Sequence, residues 1–327
     1  MADHQRRFTM NDLHLQIEAA ENKIRPLIRR TPLIESKVIS ETTGIDVFLK
    51  LENLQYTGSF KTRGAVNALL SLSSDERKRG ITTASTGNHA LAVAYGLSQL
   101  GLRGTIYLPE NALPQKIDLL KRYHAPLSFH GGDCEETERY ARAAAEQNEQ
   151  VYISPYNNLN VMAGQGTIAL ELLEQKPDID CILASVGGGG LIGGIAGYTK
   201  ALNRSIEIIG CLPQNSPTMY EAVKAGQIVD TTVLPTLSDA TAGGLEAGTV
   251  TFDPCRRLVD EWVLVEEAEI KAGLKLLFET EHLVVEGAAG VAVAALLKLN
   301  RRLQGKKVAL VICGGNVDIE KYKELVF

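Results

Sequence analysis

Lys61 stands in the stretch Thr57-Gly58-Ser59-Phe60-Lys61, just after an apolar run at 47–53. The run predicts a short strand, Gly58 and Ser59 a turn, and residues 61–70 a helix. A cation on the first helical turn opposes the macrodipole, at a cost of about 0.3 kcal/mol or more. The same field favours the neutral amine, the form that makes Schiff bases. An exposed surface lysine is the alternative, and this stretch alone leaves both open. A second stretch has different chemistry. The apolar strand 181–186 runs into Gly187-Gly188-Gly189-Gly190-Leu191. Without side chains, such a loop lets several N–H groups converge on an oxyanion, and the helix behind it adds a favourable field. It lacks the Gly-Lys-Ser/Thr of a Walker A loop and the spaced glycines and later acidic residue of a dinucleotide fingerprint. Tight helix–strand packing would also account for the glycines.

Two more strands end in glycine-bearing loops, Ser85-Thr86-Gly87-Asn88-His89 and Cys313-Gly314-Gly315-Asn316. In open parallel sheets ligands bind beyond the carboxyl ends of strands, so loops of this kind face one crevice. A poised amine, a phosphate cradle and a polar crevice together point to pyridoxal phosphate, with Lys61 forming the imine and the glycines holding the phosphate.

The elements that must position these loops alternate along the chain. Residues 9–30 predict an opening helix, with Leu13, Ile17, Ala20 and Ile24 at helical spacing, Thr9 as a cap and Thr31-Pro32 as its end. Strands are expected at 81–84, 104–109, 126–130 and 151–153, with helices at 90–100, 116–124 and 134–147 between them. The pattern resumes with a helix at 161–174, the strand 181–186, a small-residue helix to 201 and a strand at 206–211. Residues 212–255 read as mixed loop and short helix. A strand at 262–265, helices at 266–281 and 291–299, and a strand at 308–313 complete it. Such alternation predicts parallel sheet built from crossover units.

The totals agree. At 327 residues the chain exceeds one compact core and suits two domains. With 45% hydrophobic and 22% charged residues it reads as globular. No apolar run reaches the roughly 18 residues that span a bilayer, and residues 1–7 lack a signal-peptide core. The net charge of -5 has both signs scattered, which gives no footprint for nucleic acid or anionic lipid. Five widely spaced cysteines (Cys134, Cys181, Cys211, Cys255, Cys313) form no CxxC pair, so reduced thiols are expected rather than a disulfide framework or a zinc site.

Taken in order, Gly58-Ser59-Phe60-Lys61-Thr62-Arg63-Gly64-Ala65, the 85–89 loop, the tetraglycine loop and Cys313-Gly314-Gly315-Asn316 resemble the fold-type II pyridoxal phosphate enzymes. Within these the chain is similar to threonine/serine dehydratases and serine racemase over nearly its whole length. The resemblance implies an α/β fold of two open, twisted, mostly parallel sheet domains with the cofactor in the crevice between them. The expected boundaries are 1–73 and 156–327 for a discontinuous cofactor-binding domain and 74–155 for a small mobile one, with no regulatory domain after the last motif. Lys61 would carry the cofactor and later remove the Cα proton. Phe60 would pack by the ring, and Asn88 would hydrogen-bond the ring hydroxyl oxygen. Gly187, Gly188, Gly189, Gly190 and Leu191 would bind the phosphate. Ser85, Thr86, Gly87, Asn88 and His89 would form the loop that grips the substrate carboxylate. Packing is an equal alternative for His89, and a plain turn for Ser59. Cys313 matches the position facing the pyridine nitrogen. A neutral group there disfavours a long-lived carbanion and suits elimination, although a buried cysteine acting as a small apolar residue fits as well. Glu286 aligns with a family carboxylate near the cofactor, or caps the helix after it. Gly243-Gly244-Leu245-Glu246 resembles the loop that closes over the ring, or simply permits a turn.

Two departures matter. Where relatives bind a divalent cation, this chain has Cys211-Leu212-Pro213-Gln214-Asn215-Ser216-Pro217-Thr218. Leu212 and Thr218 stand where a hard cation wants oxygen-rich ligands, so no metal is expected. Thr86 occupies the place of the serine that serves serine racemase as its second acid/base; it keeps a hydroxyl but adds a crowding methyl. The expectation is a cytoplasmic ammonia-lyase, a homodimer or homotetramer, that turns a β-hydroxy amino acid such as L-threonine or L-serine into a 2-oxo acid and ammonia. Lys61 acts as base, and the cofactor phosphate protonates the leaving hydroxyl, as the family mechanism implies. The alternatives are a racemase on the same fold, a specialised dehydratase of ectoine or hydroxyectoine breakdown (a resemblance carried by 235–239, Gly243-Gly244 and 249–252), and a non-enzymatic sensor of a phosphorylated ligand.

Overall fold

The computed structural model describes residues 12–326. Thr9 lies outside them. The opening helix is Leu13–Ile24, shorter than the expected 9–30, because Pro26 falls in a single 3-10 turn at Arg25–Leu27. Its apolar stripe, Leu13, Ile17, Ala20 and Ile24, is buried as the spacing predicts.

Two sheets organise the rest. The first has six strands: β1 (Leu33–Glu35), β2 (Asp46–Leu51), β7 (Cys181–Ser185), β8 (Glu207–Pro213), β9 (Glu261–Val265) and β10 (Lys307–Ile312), in the order β1-β2-β10-β7-β8-β9. All its pairings are parallel except β1 with β2. The second has four parallel strands, β3 (Ile81–Ala84), β4 (Gly104–Leu108), β5 (Leu127–Phe129) and β6 (Val151–Tyr152), in the order β5-β4-β3-β6. The second sheet lies within the 74–155 segment. Strand β7 is buried at every residue, as a central parallel strand covered on both faces must be.

Several boundaries depart from the sequence reading. The expected strand at 47–53 stops at Leu51, and Glu52–Leu54 turns as 3-10 helix. The expected helix 116–124 is Pro114–Lys121, since proline sits readily in a first turn. The helix expected at 291–299 begins a turn earlier, at Gly287–Lys298. Its glycines read as loop, yet a Cβ on Gly290 would lie 2.7 Å from Leu274 and 3.0 Å from the Ile270 carbonyl, so close packing keeps them small. Strand β1 and the helices Lys37–Thr43, Ser74–Arg79 and Ile319–Val326 were not anticipated.

The Lys61–Leu70 helix is fixed by buried charge. Arg63 donates to Glu52 through Nε and Nη2 at 2.8 Å and to Glu171 through Nη1 and Nη2 at 2.9 Å. Lys50 Nζ adds a 2.7 Å bond to Glu171. Burial alone would raise the Glu171 carboxyl, but Arg63 and Lys50 outweigh it and lower it to about 2. The network ties the helix to β2 and to the helix Leu159–Gln175. Gly64 and Gly164 let those two helices touch, since a Cβ on Gly164 would sit 2.5 Å from the Arg63 carbonyl.

Candidate active site

Strand β2 and the 3-10 turn after it deliver the chain to Gly58, whose φ of 75° is in the left-handed region open to glycine. Ser59 then bridges to Gly314, so the Lys61 loop is paired with the loop after β10. Lys61 is the first residue of its helix. Its Nζ donates to the Pro155 carbonyl at 2.8 Å and lies 5.2 Å from the centre of the Phe60 ring. Burial, opposed by Glu286 and Cys313, lowers its pKa to about 8. The direction is the one read from the sequence. The leading cause is desolvation rather than the helix field.

Lys61 opens onto a cavity lined by Phe60, Tyr156, Ser185, the four glycines, Leu191, Thr241 and Cys313. Gly189 is the cap of the helix Gly190–Leu202 and has a φ of 83°. A Cβ on Gly188 would come within 2.3 Å of the Tyr156 ring, and one on Gly189 within 2.8 Å of Cys255 Sγ. Among the described residues no acceptor takes the N–H groups of Gly187, Gly188, Gly189 or Gly190. Unclaimed donors at a helix N-terminus, in a loop whose glycines leave no room for side chains, suit a phosphate. An amine with a lowered pKa in the same cavity suits a carbonyl. The residues present therefore fit pyridoxal phosphate.

Across the crevice, Ser85, Thr86 and Gly87 link β3 to the helix Asn88–Leu100. Ser85 Oγ accepts from Gly87 N at 3.2 Å, and Thr86 Oγ1 lies 3.9 Å from Cys134 Sγ. Asn88 is held at both ends of its amide. Nδ2 donates to the two Glu286 oxygens at 3.0 and 2.9 Å, and Oδ1 accepts from Asn316 at 2.7 Å. Glu286 does occupy a helix N-cap position but makes no side-chain cap bond, so its carboxylate serves Asn88 instead. Burial raises it to about 7, against the Asn88 hydrogen bonds. His89 is buried, bonded to the Ile153 carbonyl at 2.9 Å, and lowered to about 3 by burial and Lys61. It is a neutral packed side chain. The Cys313 thiol, at the end of β10, is pushed well above its usual pKa by burial and Glu286, so it too stays neutral. Lys61, the tetraglycine loop, Cys313, Asn88 and Glu286 thus converge on one crevice.

The sequence assigns no role to Arg63, whose partner Glu171 lies 108 residues on, in a helix whose polar face carries no signal. For Glu246 it offers only membership of the 243–246 loop, with nothing to indicate its partners.

Residues 24–314 match the family described as pyridoxal-phosphate dependent enzyme. An L-threonine ammonia-lyase of Thermotoga maritima is 40% identical over 311 residues, covering 95% of this chain and 77% of that one. A catabolic L-threonine dehydratase of Staphylococcus aureus is also 40% identical, covering 95% and 90%. Maize serine racemase superposes with a TM-score of 0.90 at 32% identity, covering 95% of each chain. The chain that carries this lysine, cradle and neutral thiol is matched along most of its length and belongs to the pyridoxal-phosphate dependent enzymes.

Proposed function

We propose that this protein is an ammonia-lyase that converts a β-hydroxy amino acid, such as L-threonine or L-serine, to a 2-oxo acid and ammonia. The observation that carries the reading is Lys61, a buried amine lowered to about 8 and facing both the tetraglycine loop and a neutral Cys313. The 40% identical relatives bearing threonine ammonia-lyase and dehydratase names support the substrate class. When bound, the cofactor supplies an electrophilic carbon and an electron sink. Lys61 Nζ holds and moves the substrate α-proton, and its lowered pKa puts a useful share of free base near neutrality. Gly187 to Gly190 present N–H groups to the phosphate, with Leu191 on the first turn behind them. Phe60 lines the ring site. Ser85, Thr86 and Gly87 would bind the substrate carboxylate, Asn88, held by Glu286 and Asn316, would stand by the ring hydroxyl oxygen, and His89 supports that loop from beneath. Cys313 would face the ring nitrogen without a charge.

Thr86 carries the hydroxyl that could serve a racemase side activity, and solvent deuterium in recovered, inverted substrate would reveal it. The 74–155 segment, which holds the second sheet, moves as a unit over bound substrate and excludes water. The protein works in the cytoplasm as a homo-oligomer. Five free cysteines support a reducing compartment, and exposed Leu54 and Tyr56 offer contact surface. No helix among the described residues is long and apolar enough to cross a membrane. A panel of β-hydroxy amino acids assayed for 2-oxo acid and ammonia tests the reading. Release of both from at least one substrate, lost in Lys61→Ala, is expected. Release of neither from any of them contradicts it.

A further inference from the structure

We propose that Glu246 is a positioning residue that fixes the seat of the Lys61 amine. The inference rests on the role given to Lys61 above. Glu246 lies in a loop bracketed by Gly243 (φ 130°) and Gly248 (φ 69°), both in the left-handed region, which lets the chain double back on itself. Its carboxylate joins the helix Cys134–Gln147 to the 154–157 loop. Oε1 accepts from Ser154 Oγ at 3.2 Å and pairs with Arg142 Nη2 at 2.7 Å, while Oε2 accepts from Asn157 Nδ2 at 2.7 Å. The Glu246 N–H donates to Tyr156 Oη at 2.9 Å. Asn157 is also gripped from the far side, where its Oδ1 accepts from Val250 N at 3.0 Å.

Between these anchors stand the two groups that shape the site. The Pro155 carbonyl accepts from Lys61 Nζ at 2.8 Å. The Tyr156 ring fills the space that a Cβ on Gly188 would need. One carboxylate, without touching the reacting atoms, thus pins the 154–157 segment that carries the acceptor for the lysine, while the Glu246 backbone N–H holds Tyr156, the wall of the phosphate cradle. The chemistry requires an acceptor-only group, because Ser154, Asn157 and Arg142 all arrive as donors. The half-exposed pair with Arg142 adds little by itself; the weight lies on Ser154 and Asn157.

The test uses cofactor-loaded Glu246→Ala and Glu246→Gln, with the pH titration of the visible absorbance, kcat, KM and the melting temperature read in each. Glu246→Ala is expected to move the absorbance midpoint by about half a pH unit or more. It should also lower kcat about 10- to 100-fold, as a displaced catalytic group does. Glu246→Gln, which keeps one acceptor oxygen, should lie nearer to wild type. An unchanged midpoint and kcat in Glu246→Ala would overturn the proposal, and so would a fall in kcat matched by loss of folded protein. If wild type releases no ammonia, the lyase reading fails, yet the absorbance titration still decides the role of Glu246.

Discussion

Lys61 and Glu286 share a desolvated crevice, and burial moves each towards its uncharged form, to about 8 and about 7. The consequences for stability have opposite slopes. Glu286 is protonated in both folded and unfolded chains below pH 4.5, so it costs nothing there. Its penalty grows as pH rises from 4.5 to 7 and is complete above 7, where it reaches about 3 kcal/mol at most. Glu286→Gln should therefore stabilise cofactor-free protein at pH 8 and leave it unchanged at pH 4. Urea unfolding at the two pH values measures this, and equal effects at both would contradict it. For Lys61 the penalty is complete below pH 8 and fades towards 10.5, so Lys61→Met should raise stability at pH 7 more than at pH 10. At the residue scale, types alone left alternatives open: a lysine on a first turn also reads as a surface lysine, and four glycines also read as tight packing. Only the four glycine-bearing motifs in order pointed to a pyridoxal phosphate site. Glu286 was ambiguous, because a carboxylate before a helix reads as a cap. Only the fold brings Asn88, 198 residues away, within 2.9 Å of it.

At the scale of elements, the buried network around Arg63 is what makes the Lys61 helix rigid. Removing one member strands charge in a dry interior, so Arg63→Met should destabilise by about 3–5 kcal/mol. The exposed pairs of Arg302 with Glu207 and Glu261 should contribute about 1 kcal/mol or less, so Arg302→Ala is the natural control. Denaturant midpoints compare the two, and a similar loss in both would contradict the assignment. Glu171, lowered to about 2, adds stability that is fully present above pH 4.5 and lost as pH falls towards 2. Alternating strands and helices were readable because buried parallel strands are continuous apolar runs. The network was not, since Lys50, Glu52, Arg63 and Glu171 look like ordinary surface charges in a linear sequence. The early start at Gly287 was hidden for a related reason: glycine weakens a helix locally, and only the packing against Leu274 shows why it is kept.

At the scale of the molecule, two mostly parallel sheets present their loops to one crevice. Among the described residues no three of His, Cys, Asp and Glu are grouped to hold an ion. Chelation should leave kcat and the melting temperature unchanged; a fall in either that magnesium restores would show a site. The strands of the second sheet were legible in the sequence, as short apolar or β-branched runs between helices. The clasp at Glu246 was not, because its partners Arg142, Ser154 and Asn157 lie far from it along the chain. The most direct measurement is reduction of the cofactor-loaded protein with borohydride, followed by peptide mapping. The account predicts a single pyridoxyl label, on Lys61. A label on another lysine, or none, would contradict it.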